Sequence, residues 1–187
     1  MSWIEQIKNY NPYNEQEKKD KEMFLYFIET FKDILTRTNE IVHVTTSAFV
    51  LNKERDKALM VYHNIYDSWS WAGGHADGEK DLLMVAMNEV REETGVRYIK
   101  PVFHEIFALD VLPVIGHIKR GKYVSAHLHL SVTFLLEADE KDQLIVKEDE
   151  NSAVKWIPLN KIIESSSEPH MKVVYGKILS KSGFSTK

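Results

Sequence analysis

The chain has 187 residues, 43% of them hydrophobic, enough for one sizeable core and too few for two comfortable domains. A formal net charge of −4 sets it apart from general nucleic-acid binders, which present a basic surface. The absence of cysteine excludes disulfides, thiolate zinc sites and a cysteine nucleophile, and it fits a reducing compartment.

The first elements are helical. A short helix is expected over Trp3 to Ile7, and a longer amphipathic one over residues 14–38. In the longer one Met23, Phe24, Phe27, Ile28, Phe31, Ile34 and Leu35 recur with a 3.6-residue rhythm. Residues 1–40 read as a helical extension that covers the main domain, with a dimer contact or substrate lid as the alternative; a homodimer stays open. The N-terminal stretch is polar and charged, unlike a signal peptide, and no apolar run approaches the ~20 residues needed to cross a bilayer. A cytoplasmic protein with no membrane partner is expected.

From Val42 the rhythm changes. "IVHVTTSAFVLN" and "ALMVYHN" read as two strands of a hairpin around the polar turn "NKERDK". "SWSWAGGHADG" reads as a glycine-bearing loop that leads into a helix. "YIKPVFHEIFALDVLPVIG" holds one or two strands, "HIKRGKYV" a basic turn, and "SAHLHLSVTFLLEA" a strand that becomes buried along its length. "DEKDQLIVKEDENSA" is a loop or short strand and "VKWIPL" another strand. A helix over Leu159 to Leu179, broken near Pro169, precedes a fraying tail over 181–187. Strands in the middle with helices around them imply helices packed on a mixed sheet, an α+β or three-layer α/β/α domain.

The chemistry concentrates in "GGHADGEKDLLMVAMNEVREETGV", residues 73–96. Asp81 is a suitable N-cap and Gly95 a suitable left-handed C-cap, with Leu83, Ala86, Val90 and Thr94 as the buried stripe. At ~100° per residue, Glu89, Glu92 and Glu93 fall within about a third of the circumference. Like charges so placed repel, and the helix dipole disfavours anions at this end. A divalent cation reverses both penalties, and carboxylate oxygens suit Mg²⁺ or Mn²⁺. A solvated acidic face, with Arg91 and Arg97 as counterions, is the alternative for the glutamates taken alone.

Residues 74–96 resemble the Nudix box, the signature of the Nudix hydrolases. Gly74, Glu89, Val90, Glu92, Glu93, Gly95 and Val96 occupy matching positions. Two positions depart. Lys80 stands where the pattern has a glutamate, with Glu79 one residue earlier, and Asn88 replaces an arginine that orients the metal-binding glutamates. "GGHADGEKDLL" is similar to a subgroup carrying "GGHxDGD" here. The resemblance implies an α/β fold, an α/β/α sandwich with a mixed sheet over residues 41–180, beside the N-terminal extension. It implies hydrolysis of a diphosphate linkage in a small, nucleotide-derived substrate. The alternative is a catalytically weakened Nudix-fold nucleotide-binding or regulatory module. A third class sharing the fold, isomerases of the isopentenyl diphosphate type, relies on a cysteine that this chain lacks.

On that reading Glu89, Glu92 and Glu93 are the metal ligands, with the Gly74 carbonyl added from the resemblance. Glu92, Glu93 or Glu150 takes a proton from the attacking water. For Glu148 to Glu150 a solvated turn is the competing reading. Glu79, His75, Trp71 and His129 are the substrate-binding candidates, with phosphate and metal as the two readings for what His75 contacts. His127 and His129 share one side of a strand, and either face the pocket or serve as hydrogen-bonded wall residues. Trp69 and Trp71 either stack on a planar group or pack in the core. Lys119, Arg120 and Lys122 form a basic turn that either steers phosphate or is merely solvated.

Overall fold

The computed structural model describes residues 1–119, 121–147 and 151–184, so Arg120 and the acidic run Glu148 to Glu150 lie outside the described residues. In chain order the elements are α1 (Trp3–Asn9), α2 (Glu15–Thr30), β1 (Val42–Leu51), β2 (Lys57–His63), β3 (Ser68–Ser70), β4 (Ala72–His75), α3 (Leu82–Thr94), β5 (Ile99–Pro101), β6 (Ala108–Val114), β7 (His117–Lys119), β8 (Lys122–Val124), β9 (His127–Ala138) and β10 (Asn151–Pro158). A 3-10 turn (Leu159–Lys161), α4 (Ile162–Ser165) and α5 (Pro169–Lys181) close the chain. No helix among the described residues is long and apolar enough to cross a membrane.

The main sheet runs β10-β2-β1-β9-β5, with β3 on β2, β4 on β1 and β6 on β9. β1 and β9 are parallel from Val42↔Leu128 to Leu51↔Glu137, whereas β2 and β4 join β1 antiparallel, so the sheet is mixed. β1 is buried at every position because it has strands on both sides and helices on both faces. Its alternation splits the core. Val42, Val44, Ala48 and Val50 pack with Phe24, Ala86 and Val90 of α2 and α3, whereas Phe49 and Leu51 pack with Ile162, Tyr175 and Ile178 of α4 and α5. The result is the expected α/β/α arrangement. By the same alternation His43, Thr45 and Ser47 share the second face, so that face is apolar at one end of β1 and polar at the other.

Three local expectations need correction. The helix expected over 14–38 stops at Thr30, where Phe31 turns extended (φ −114, ψ 119). The carbonyls of Ile34 and Leu35 are taken by the amides of Val44 and Gly78, at 2.8 and 2.9 Å, instead of by a further helical turn. Ile34 remains buried, so the apolar rhythm is used without the helix. The loop expected before the central helix contains β3 and β4, because β1 and β2 offer free edges to which "SWS" and "AGGH" hydrogen-bond. The expected basic turn region likewise contains two short strands, β7 and β8, which pair antiparallel from His117↔Val124 to Lys119↔Lys122.

The N-terminal helices are joined to the rest of the chain by a buried ionic cluster. Glu17 of α2 is fully buried and lies 3.2 Å from Lys177 and 3.3 Å from Lys181 of α5. Lys177 also contacts Asp110 of β6 at 2.6 Å. Hydrogen bonds from the Tyr10 hydroxyl and the Tyr13 amide complete the Glu17 shell. Burial pushes the Asp110 carboxyl up to about 6 despite Lys177. Burial also pushes Glu17 upward, but its hydrogen bonds and the two lysines outweigh that and hold it below the ordinary carboxylate range.

Candidate active site

Two glycines of β4 create the close approach on which the site depends. Gly74 pairs with Thr46 of β1 and faces the helix that follows. A Cβ at Gly74 would lie 2.2 Å from Glu89 Oε1, so only glycine leaves room for that carboxylate. The amide of Gly73 donates to Glu93 Oε2 at 3.1 Å, and Asn151 Nδ2 of β10 approaches Glu93 Oε1 at 3.5 Å. Glu93 is 4% exposed, an unusual position for a carboxylate that lacks a built environment.

Helix α3 presents these groups because both of its ends are fixed locally. Asp81 accepts from the Met84 amide at 3.0 Å, and Gly95 ends the helix in the left-handed region at φ 74. The buried residues are Leu82, Ala86, Val90, Glu93 and Thr94; the expected Leu83 is only partly buried beside them. Glu89 and Glu92 stand beside this stripe, one turn apart, and Glu92 is exposed. Glu89, Glu92 and Glu93 all line one cavity of about 660 Å³ with Gly74. Their hard oxygen donors are of the kind that suits Mg²⁺ or Mn²⁺.

The same cavity holds a group of histidines. His43 and His129 are in register on β1 and β9, and His75 is opposite Thr45, two residues along β1. The ring centroids of His43, His75 and His129 are 4.9–5.2 Å apart. Burial, helped by Arg37 and His43, pushes His75 down to about 3. Burial, helped by His75 and His43, pushes His129 down to about 2. Both imidazoles are therefore neutral at physiological pH. His43 carries no signal of its own in the sequence, since its relation to His129 exists only through strand pairing.

The other candidates are divided. His75, His129 and Trp71 all reach the cavity wall, as does Lys119. Trp71 is nonetheless 8% exposed and set edge-on to Tyr175 at 5.3 Å, with its amide donating to the Tyr175 hydroxyl. That geometry is core packing. Trp69 is not among the lining residues; Lys155 lies over its ring at 4.3 Å. Glu79 also lies off the lining. Its carboxylate accepts from the amides of Lys80 and Asp81, at 2.6 and 3.0 Å, which hold it below its ordinary pKa. It braces the loop before α3. Asn88 is exposed and accepts from Arg91 at 3.0 Å. Glu150 and Arg120 fall outside the described residues.

Residues 41–177 match the family described as NUDIX domain. No curated protein sequence matches the chain. Among solved structures it is similar to the E. coli dihydroneopterin triphosphate pyrophosphohydrolase, at 14% identity and a TM-score of 0.54, covering 72% of this chain and 92% of that one. It is similar to a C. elegans Ap4A hydrolase in a binary complex, at 16% identity and 0.51, covering 75% and 94%. A NUDIX-family hydrolase from Clostridium perfringens gives 16% and 0.51, covering 74% and 96%. At such identities the likeness shows the fold alone.

Proposed function

Because the chain belongs to the Nudix family, we propose that it is a Mg²⁺- or Mn²⁺-dependent hydrolase that cleaves a diphosphate linkage in a nucleoside diphosphate-linked or related small molecule. The observation that carries this reading is the fit of the Glu89 carboxylate into the space that Gly74 leaves free, beside Glu93 fixed by the Gly73 amide. On this reading Glu89, Glu92 and Glu93 hold the cation, with Gly74 beside them. When bound, such a cation screens the charge of the diphosphate and acidifies water. The Gly73 amide fixes the orientation of Glu93. On the same reading Glu92, exposed at the cavity rim, accepts a proton from the attacking water, a role also proposed for Glu150. Lys119, Lys147 and Arg37 line the cavity and offset the negative charge of a bound phosphate chain. His75 and His129 form its polar wall.

Asn88 favours a second reading, a weakened Nudix-fold module that binds nucleotide without efficient turnover. Its side chain is engaged with Arg91 and supplies no cation to the glutamates. Full-length protein incubated with Mg²⁺ or Mn²⁺ and a panel of nucleoside triphosphates, dinucleoside polyphosphates and nucleotide sugars separates the two. Metal-dependent release of phosphate-containing products that Glu93→Gln abolishes, with thermal unfolding still cooperative, is the expected result. Tight binding without product across the panel selects the second reading, and an unchanged rate in Glu93→Gln removes that residue from the mechanism.

A further inference from the structure

We propose that His43, His75 and His129 form a second metal centre in this cavity, built for a borderline divalent transition cation such as Zn²⁺ or Co²⁺ and separate from the carboxylate site. One ligand nitrogen from each of the three lies within 4.8 Å of the others. Among the described residues this is the group of three potential metal ligands that converges so closely. Four-coordinate Zn–N bonds of about 2.0–2.1 Å place ligand nitrogens roughly 3.3 Å apart, so modest ring rotation completes the sphere.

The second observation is an orphaned atom. His43 is 4% exposed, and its Nε2 is buried without a hydrogen-bond partner. Its Nδ1–H donates to the Asn39 carbonyl at 2.9 Å, which fixes the tautomer and leaves the lone pair on Nε2. Asn39 is itself fixed: its Oδ1 accepts from the Ile41 and Val42 amides, and its Nδ2 donates to Asp33. A ligand imidazole held from behind by a carbonyl is the arrangement that metal sites use to aim a ring. Without a cation, a buried lone pair facing two more imidazoles has an uncompensated desolvation cost.

His129 has similar support. His127 Nδ1–H donates to the Ser125 carbonyl at 2.8 Å, which leaves its Nε2 to accept from His129 Nε2 at 3.1 Å. This directs the His129 lone pair to Nδ1. Three imidazoles favour Zn²⁺, Co²⁺ or Ni²⁺ over Mg²⁺, which prefers oxygen. Three protein ligands leave a fourth position open, as in a reactive and not a purely structural centre. His75 and His129 are partly exposed to the cavity, so a water or a phosphate oxygen occupies that position.

Cobalt alone is the probe, and no substrate or activity is needed, so failure of the hydrolase reading leaves this test intact. Full-length protein freed of metal with chelator is titrated with Co²⁺ and followed by visible absorption, with Zn²⁺ titrated by calorimetry in parallel. The expected result is one saturable site with the intense visible bands of four-coordinate Co²⁺. His43→Phe and His129→Gln should weaken it beyond the roughly 10–100-fold that loss of a mere supporting partner costs, while Glu92→Gln leaves the bands unchanged. Pale six-coordinate spectra in the wild type, or bands lost in Glu92→Gln and kept in His43→Phe, overturn the proposal. Should a histidine variant fail to fold by circular dichroism, the wild-type coordination number decides alone.

Discussion

Gly74→Ala separates the chemistry of the site from the stability of the fold. The new methyl group would stand 2.2 Å from Glu89 Oε1, and ordinary contact begins at 3.4 Å, so the carboxylate must retreat by about 1.2 Å. The backbone at Gly74 is not among the positive-φ positions, so alanine is compatible with the strand itself. The obstacle is the far end of a flexible side chain, which swings away at little cost. Stability should therefore change by less than about 1 kcal/mol, the scale of a compatible Gly→Ala exchange. Catalysis has no such tolerance, because a displacement of about 1 Å at a reacting centre costs on the order of 10²-fold in rate. The assay is kcat/KM under saturating Mg²⁺, with thermal unfolding in parallel. A rate within about threefold of wild type, with the fold intact, would refute the role given to Glu89. A large loss of stability would show instead that Gly74 serves packing.

Lys177→Met removes the cation between Glu17 and Asp110, whose side chains are 0% and 1% exposed, and should cost about 3–5 kcal/mol at pH 7 by denaturant unfolding. A loss below about 1 kcal/mol would mean the cluster contributes little. Asp110 makes that cluster pH-dependent. Its folded pKa of about 6 exceeds its ordinary 3.8, so the folded state binds its proton more tightly and the contribution of this group to stability falls as pH rises through that window. The stability of Asp110→Asn relative to wild type should therefore rise by on the order of 3 kcal/mol between about pH 4 and pH 6 and stay level above it; a difference flat across the whole range would contradict the assignment. Tyr175→Phe leaves the buried Trp71 amide without the hydroxyl that accepts from it at 3.2 Å, and should lower stability by about 1–3 kcal/mol in the same assay.

What the sequence reveals about this site follows from the range of the interactions involved. Helix α3 is legible because Asp81, the apolar stripe and Gly95 all act within a few residues of one another. The acidic crowding on it is legible for the same reason. β4 is not, because "AGGH" has none of the β-branched residues that mark a strand; it becomes one by pairing with β1, which is adjacent in space but well separated along the chain and so invisible to local propensity. The end of α2 is hidden for a related reason, since Ile34 and Leu35 keep a helical apolar spacing while their carbonyls serve β1 and the Gly78 loop. His43 is the hardest case. It looks like one polar position in a strand until β1 and β9 align in parallel and bring it beside His129.

The contact between Glu17 and Lys177 matters to anyone who would shorten this protein. The family match begins at residue 41, and a cut there looks economical on sequence grounds. It would remove Glu17, along with the Tyr10 hydroxyl that reaches the Phe107 carbonyl at 3.2 Å. Lys177 and Asp110 would stay behind, and with them the underside of the sheet that Trp3, Ile7 and Phe24 had kept from water. A minimal version should retain the first helices or replace Lys177 and Asp110 together with matched apolar residues.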